Sequence, residues 1–146
     1  MNLRSETGAA WVVILAGVCA ALHVAKLPPA IPALQQALGI TLVQAGFLLS
    51  LVQLAGMSLG VMAGLTADGV GLRRSMMAGL WLLFAASLAG GWAREIGTLL
   101  ALRALEGVGF LMVTVAAPSL VRRTVAPSKL TRMLGFWGAF MPFGTA

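Results

Sequence analysis

Acidic residues are scarce in this chain: four Asp or Glu stand against ten Lys or Arg in 146 residues. Charged residues of either sign make up only 10% of it, and tyrosine is absent. There is one cysteine, Cys19, and one histidine, His23. A single Cys excludes an intramolecular disulfide framework, and one Cys with one His excludes a zinc site of ordinary ligand count. No metal and no cofactor is expected. Neither a His/Asp/Cys cluster nor a nucleophile–base pair is present, so enzymatic activity is not expected either. The shortage of charge also excludes an ordinary soluble domain, which runs about 25% charged and about 45–50% apolar. Here 60% of residues are hydrophobic and the mean hydropathy is +0.96, a composition of integral membrane proteins. The net charge of +6 and pI near 11.5 raise nucleic-acid binding as an option. The cations instead sit in short loops beside apolar runs, without interleaved aromatics, and face the headgroups of a lipid bilayer. No nucleic-acid partner is expected.

What is abundant is membrane-length apolar sequence. A spanning helix needs about 20 apolar residues, and the pattern predicts spans over 8–27, 41–65, 75–92 and 98–121, with a fifth beginning at 133 and cut off at 146. Pro28-Pro29 ends the first span, and the Pro-rich stretch to Gly39 reads as a connection. Thr41 and Gln44 read as a capping box opening the second. Arg94-Glu95-Ile96-Gly97 is a tight turn and Arg122 to Arg132 a basic loop. The expected fold is therefore an all-α integral membrane protein of four complete transmembrane helices plus a truncated fifth. Arg4 ahead of the apolar run from Gly8 also fits a signal peptide, but the run is long and further spans follow.

Orientation follows from the cations. The amino-terminal flank and the second and fourth connections hold seven, Arg4, Arg73, Arg74, Arg122, Arg123, Lys129 and Arg132, whereas the first and third hold two, Lys26 and Arg94. The amino terminus is expected to be cytoplasmic, with the chain multi-pass in the cell (inner) membrane. Only 14 residues follow Arg132, too few to cross about 30 Å at 1.5 Å per residue. The expectation is an amino-terminal part of a longer chain, whose remaining helices would be its partners.

Polar residues inside the spans are the candidate functional groups. Arg103 and Glu106 are three apart and share a helix face. With the fourth span centred near Gly109, Arg103 lies about 10 Å from the midplane. Intramembrane ionisable groups are expensive and by default functional, although a mutually neutralised structural pair fits the same spacing. Phe110 and Thr114 continue that stripe. Gln53 sits near the middle of the second span, on a face shared by Gly46, Ser50, Gly60 and Gly64. His23 and Lys26 share a face at the outer end of the first span, where Lys26 is placed to snorkel to headgroups. Gly56, Gly60 and Gly64 form a double G-x-x-x-G suited to close helix packing. The third span has only Ser87 as an interior polar group and reads as a lipid-facing helix.

Two motifs resemble the major facilitator superfamily. Its loop signature between helices two and three, G-x-L-a-D-r-x-G-r-K/R, is matched by Gly64, Ala67, Asp68, Gly71 and Arg73, with departures at Thr66, Gly69 and Leu72. Its fourth-helix signature, l-x-x-x-R-x-x-q-G-x-g, is matched by Leu99, Arg103, Gly107 and Gly109, with Glu106 in place of Gln. The resemblance implies a carrier of two six-helix halves built from inverted three-helix repeats, of which this chain would supply part of the first half. It assigns Gly64, Asp68, Gly71, Arg73 and Arg74 to a cytoplasmic latch and Arg103 to coupling, and Gly107 and Gly109 join Gly56 and Gly60 as helix-packing positions. An arginine is not a practical proton carrier, so it would act on a proton through a neighbour such as Glu106. The run Glu106-Gly107-Val108-Gly109-Phe110 after Arg103, together with Gly135, Gly138, Met141-Pro142 and Gly144 of the last segment, is similar to cyanate-permease-type members, which handle small anions or organic acids.

The resulting expectation is a secondary active transporter of a small solute working by alternating access, with Arg103, Glu106, Gln53, His23 and Thr114 as substrate or coupling residues and protons as the coupling ion. A drug/proton antiporter is the alternative among transporters. A small non-transporting membrane scaffold, associating through glycine-rich helix faces, is the alternative of a different class.

Overall fold

In the computed structural model, the backbone of residues 3–145 is described, with side-chain surroundings described for residues 7–54, 58, 60 and 69–145. The described chain is helical almost throughout, as α1 (Leu3–Ala25), α2 (Leu27–Leu38), α3 (Leu42–Val70), α4 (Leu72–Gly90), α5 (Ile96–Thr124), α6 (Pro127–Gly138) and α7 (Phe140–Thr145). Helix α5 is the hub: α4 packs along one side of it, α3 along another, and α1 against a third. By length and composition, two stretches among the described residues suffice to cross a membrane, Thr7–Leu38 and Ile96–Thr124, while Leu42–Leu54 is a shorter apolar stretch.

Several helix boundaries differ from the sequence expectation, each for a local reason. The Pro-rich stretch after Pro28 is not a loop but helix α2. Pro28 and Pro29 occupy its first turn, where no intrahelical N–H is needed. Lys26 retains right-handed helical geometry (φ −62°, ψ −24°), and its N–H donates to the Leu22 carbonyl at 3.0 Å. Helices α1 and α2 are thus one apolar rod interrupted at the prolines. Helix α2 stops at Gly39, whose φ of +62° closes the end in the left-handed conformation. The capping box forms as expected. The Thr41 N–H donates to Gln44 Oε1 at 2.9 Å and the Gln44 N–H to Thr41 Oγ1 at 3.2 Å.

Helix α3 does not end near Leu65. It runs to Val70, and the reversal into α4 is made at Gly71 alone, at φ +99°. The stretch read as a charged loop is therefore mostly helical backbone, because no proline between Thr41 and Val70 forbids helix, and the chain reverses at Gly71, where glycine tolerates the positive φ. The basic stretch after Arg122 is likewise helical. Arg122 and Arg123 form the last turn of α5, and Pro127 opens α6. Pro142 has no N–H for the Gly138 carbonyl and its ring crowds that oxygen, which separates α7 from α6.

Two apolar clusters hold the bundle. The larger joins Ala10 and Ile14 of α1, Leu83 of α4, Val113, Ala117 and Val121 of α5, and Met133 and Trp137 of α6. The smaller, at the opposite end, joins Leu27, Ile40, Ala45 and Leu48, with Leu99 and Leu100 packed on it. The closest approach to neighbouring backbone at a described glycine is between α4 and α5. A Cβ on Gly79 would lie 2.7 Å from the Gly109 carbonyl oxygen, and one on Gly109 would lie 2.8 Å from that of Gly79. The missing side chains let the two backbones touch. Gly17 plays the same part on α1 by receiving the Trp137 ring, which stacks on Phe140 at 4.3 Å.

Candidate functional site

The prolines that interrupt α1 and α2 also create the polar feature of the bundle. Pro28 carries no N–H, so the carbonyl of Val24 lacks the donor a continuous helix would supply. Arg103 approaches it from α5. Its Nη2 reaches Val24 O at 3.4 Å, its Nη1 donates to His23 O at 2.8 Å, and its Nε donates to Leu48 O of α3 at 3.2 Å. One guanidinium thus ties α5 to both α1 and α3, using the several fixed donors that only arginine offers.

The charge of that guanidinium is balanced from its own helix. Glu106, one turn on, accepts from Arg103 Nη1 through Oε2 at 2.5 Å. Its other oxygen, Oε1, accepts from Lys26 Nζ at 2.5 Å, across 80 residues of sequence. Lys26 donates also to Ser87 Oγ of α4. Arg103 and Glu106 are buried, with side chains 3% and 6% exposed, whereas that of Lys26 is 40% exposed. Two cations on one carboxylate leave the cluster at net +1. Among the described residues, every buried side-chain nitrogen and oxygen has a partner.

A cavity of about 290 Å³ opens beside this cluster, with Lys26, Arg103 and Glu106 on one wall and Leu27, Leu48 and Leu99 among the apolar residues of the others. A second, more open depression of about 430 Å³ adjoins it, lined by His23, Phe84, Ser87 and Trp92. Ser87 belongs to both. The arrangement can present an ammonium group to a solute in a largely apolar recess, while the guanidinium stays fixed by backbone carbonyls.

The sequence candidates divide accordingly. Arg103 and Glu106 form the core of the cluster, and His23 contributes its carbonyl to Arg103 and its side chain to the neighbouring depression. Gln53 is exposed and lines neither cavity. It lies on the outward face of α3 with Gly46 and Ser50, because Ala45, Leu48 and Val52 turn the opposite face inward. Thr114 lies eight residues beyond Glu106, about 12 Å along the helix, and its hydroxyl donates to the Phe110 and Leu111 carbonyls of its own helix. Lys26 does not snorkel outward, since the buried carboxylate of Glu106 draws it in. Ser87, the interior polar group of α4, receives that ammonium group, while Trp81, Phe84 and Leu88 form the exposed face of that helix. The role of Lys26 was missed because its carboxylate partner lies on another helix.

For the remaining positions, Arg73 and Arg74 are exposed beside Gly71 at the start of α4. The side-chain surroundings of Gly56, Gly64 and Asp68 lie outside the described residues. Gly107 and Gly109 are buried. Gly60, read as a packing position, has open space instead, as an added Cβ would meet nothing within 4 Å.

With this geometry in hand, comparison with known proteins is informative. The family model described as Major Facilitator Superfamily matches residues 13–146. The puromycin resistance protein pur8 of Streptomyces alboniger is 32% identical over 118 residues, which are 80% of this chain and 24% of that protein. The chain thus spans about a quarter of the length of that relative. No solved structure matches.

Proposed function

The chain belongs to the major facilitator superfamily, whose members are multi-pass membrane transporters of small molecules and not enzymes, and on that premise we propose that it forms part of the amino-terminal half of a secondary active transporter working by alternating access. The rod α1–α2, α3, α4 and α5 would be its first four spans, and α6 with α7 part of the next. The cation distribution supports an amino terminus on the cytoplasmic side of the cell membrane. Gly64, Asp68, Gly71, Arg73 and Arg74 would form the cytoplasmic latch. Gln53, on the outward polar face of α3, would meet helices supplied by the rest of the transporter.

The observation that carries the reading is the Lys26–Glu106–Arg103 cluster beside a cavity within apolar helices. Its net charge of +1 suits a small anion such as an organic acid. Lys26 is the exposed member and would leave Glu106 for the carboxylate of the solute. Glu106 would keep its pairing with Arg103, and protons would be the coupling ion of the cycle. Arg103 would hold the ends of α1 and α3 in position throughout. Thr114, deeper along α5, would act only on a solute that has passed the cluster.

The test is uptake of radiolabelled monocarboxylates into proteoliposomes holding the complete transporter. Arg103→Ala is expected to abolish uptake while leaving membrane insertion intact, and normal uptake in that variant would overturn the proposal. A second reading, a drug/proton antiporter, is favoured by the name of the relative pur8. It predicts puromycin efflux, with no carboxylate uptake, from the same preparation.

A further inference from the structure

At the end of the bundle opposite Lys26, a groove of about 390 Å³ lies between the Gly71 reversal and the last turns of α5. Arg73 and Arg74 line it from α4 and Arg123 from α5, while Val70, Leu72 and Leu120 supply apolar walls. No acidic residue is among its described lining. All three arginines are exposed, and the ion pairs found among the described residues both involve Glu106 at the other end of the molecule. Three guanidinium groups thus converge on one recess, with no counter-charge among the described residues.

We propose that this groove is a binding site for the phosphate of an anionic phospholipid. A guanidinium fork matches two phosphate oxygens at once, and basic pockets between spans on the cytoplasmic side attract anionic headgroups. The apolar walls decide between a lipid and a free anion. Val70 is 59% exposed beside the arginines, and inorganic phosphate would leave that surface in water. A phospholipid places its phosphate on the guanidiniums and the start of its acyl chains over Val70 and Leu120. The site joins α3, α4 and α5, so a bound headgroup would brace the Gly71 reversal. The inference rests on the cytoplasmic placement of this end only for which leaflet supplies the lipid.

Native mass spectrometry of the 146-residue chain in detergent, titrated with phosphatidylglycerol, phosphatidylcholine or inorganic phosphate, tests it without any transport measurement. Phosphatidylglycerol is expected to bind more tightly than phosphatidylcholine and to weaken as salt is raised. Arg123→Gln should weaken it about fivefold, and Arg73→Gln, Arg74→Gln and Arg123→Gln together about a hundredfold. Arg122→Gln makes the same charge change one residue away and outside the groove, and is expected to leave binding within about twofold. Equal loss at Arg122 and Arg123 would overturn the site in favour of diffuse surface charge. Displacement of the lipid by an equal concentration of inorganic phosphate would overturn the lipid assignment.

Discussion

Replacing Glu106 with Ala tests the electrostatic cluster most directly. The substitution removes the one carboxylate shared by two cations. Arg103, 3% exposed, is then left charged within the bundle, while Lys26, 40% exposed, can turn to water. Removing one partner of a buried pair costs about 3–5 kcal/mol, whereas a solvent-exposed pair contributes about 0.2–1 kcal/mol. A change of 1 kcal/mol moves the unfolding midpoint by about 2–4 °C for chains of about 150–250 residues. Glu106→Ala should therefore lower Tm by about 6–20 °C, and Lys26→Ala by no more than about 4 °C. Arg103→Met should cost more than Glu106→Ala, since it also strips a donor from the carbonyls of His23, Val24 and Leu48. The assay is thermal unfolding of the purified chain in one detergent, followed by tryptophan fluorescence, with Trp137 as the buried reporter. Equal shifts for Glu106→Ala and Lys26→Ala would refute the burial argument. A milder effect for Arg103→Met than for Glu106→Ala would show that the carbonyl contacts add nothing.

Pro28→Ala restores an N–H that can reach the Val24 carbonyl, so in that background Arg103→Met should cost less, by about 1 kcal/mol. A double-mutant cycle with no coupling would contradict the link between the proline interruption and Arg103. Gly79→Ala forces a methyl to within 2.7 Å of the Gly109 carbonyl oxygen and should destabilise the chain by about 1–3 kcal/mol. Gly46→Ala, with nothing within 4 Å, should instead stabilise it by about 0.5–1 kcal/mol, and thermal midpoints moving in the same direction would refute that contrast.

Features that depend on neighbours in the chain were legible without a structure. The Thr41–Gln44 capping box is one, because both partners lie within a single helical turn. The Arg103–Glu106 pair is another, since three residues on a helix place two side chains on one face. The family motifs were legible for the same reason, as short local patterns at Gly64–Arg73 and Leu99–Gly109. Proline was misread where its position mattered more than its presence. Pro28 and Pro29 at the first turn of a helix start α2, although within a longer helix they would end it. Glycine was misread in the opposite way. The G-x-x-x-G spacing on α3 pointed to packing at Gly60, which has open space, whereas Gly109, a packing position of the fourth-helix signature, meets Gly79 on another helix, a partner that no local spacing names.

The sequence by itself determined that this is a helical, membrane-type chain of the major facilitator superfamily, because apolar length, capping and motif spacing are written in consecutive residues. Only the tertiary structure decided what the charges do. Lys26 and Glu106 are 80 residues apart, and nothing local to either names the other. Their meeting depends on the interruption between α1 and α2 that carries Lys26, on the glycine contact that draws α4 against α5, and on the cost of leaving a carboxylate unpaired among apolar side chains.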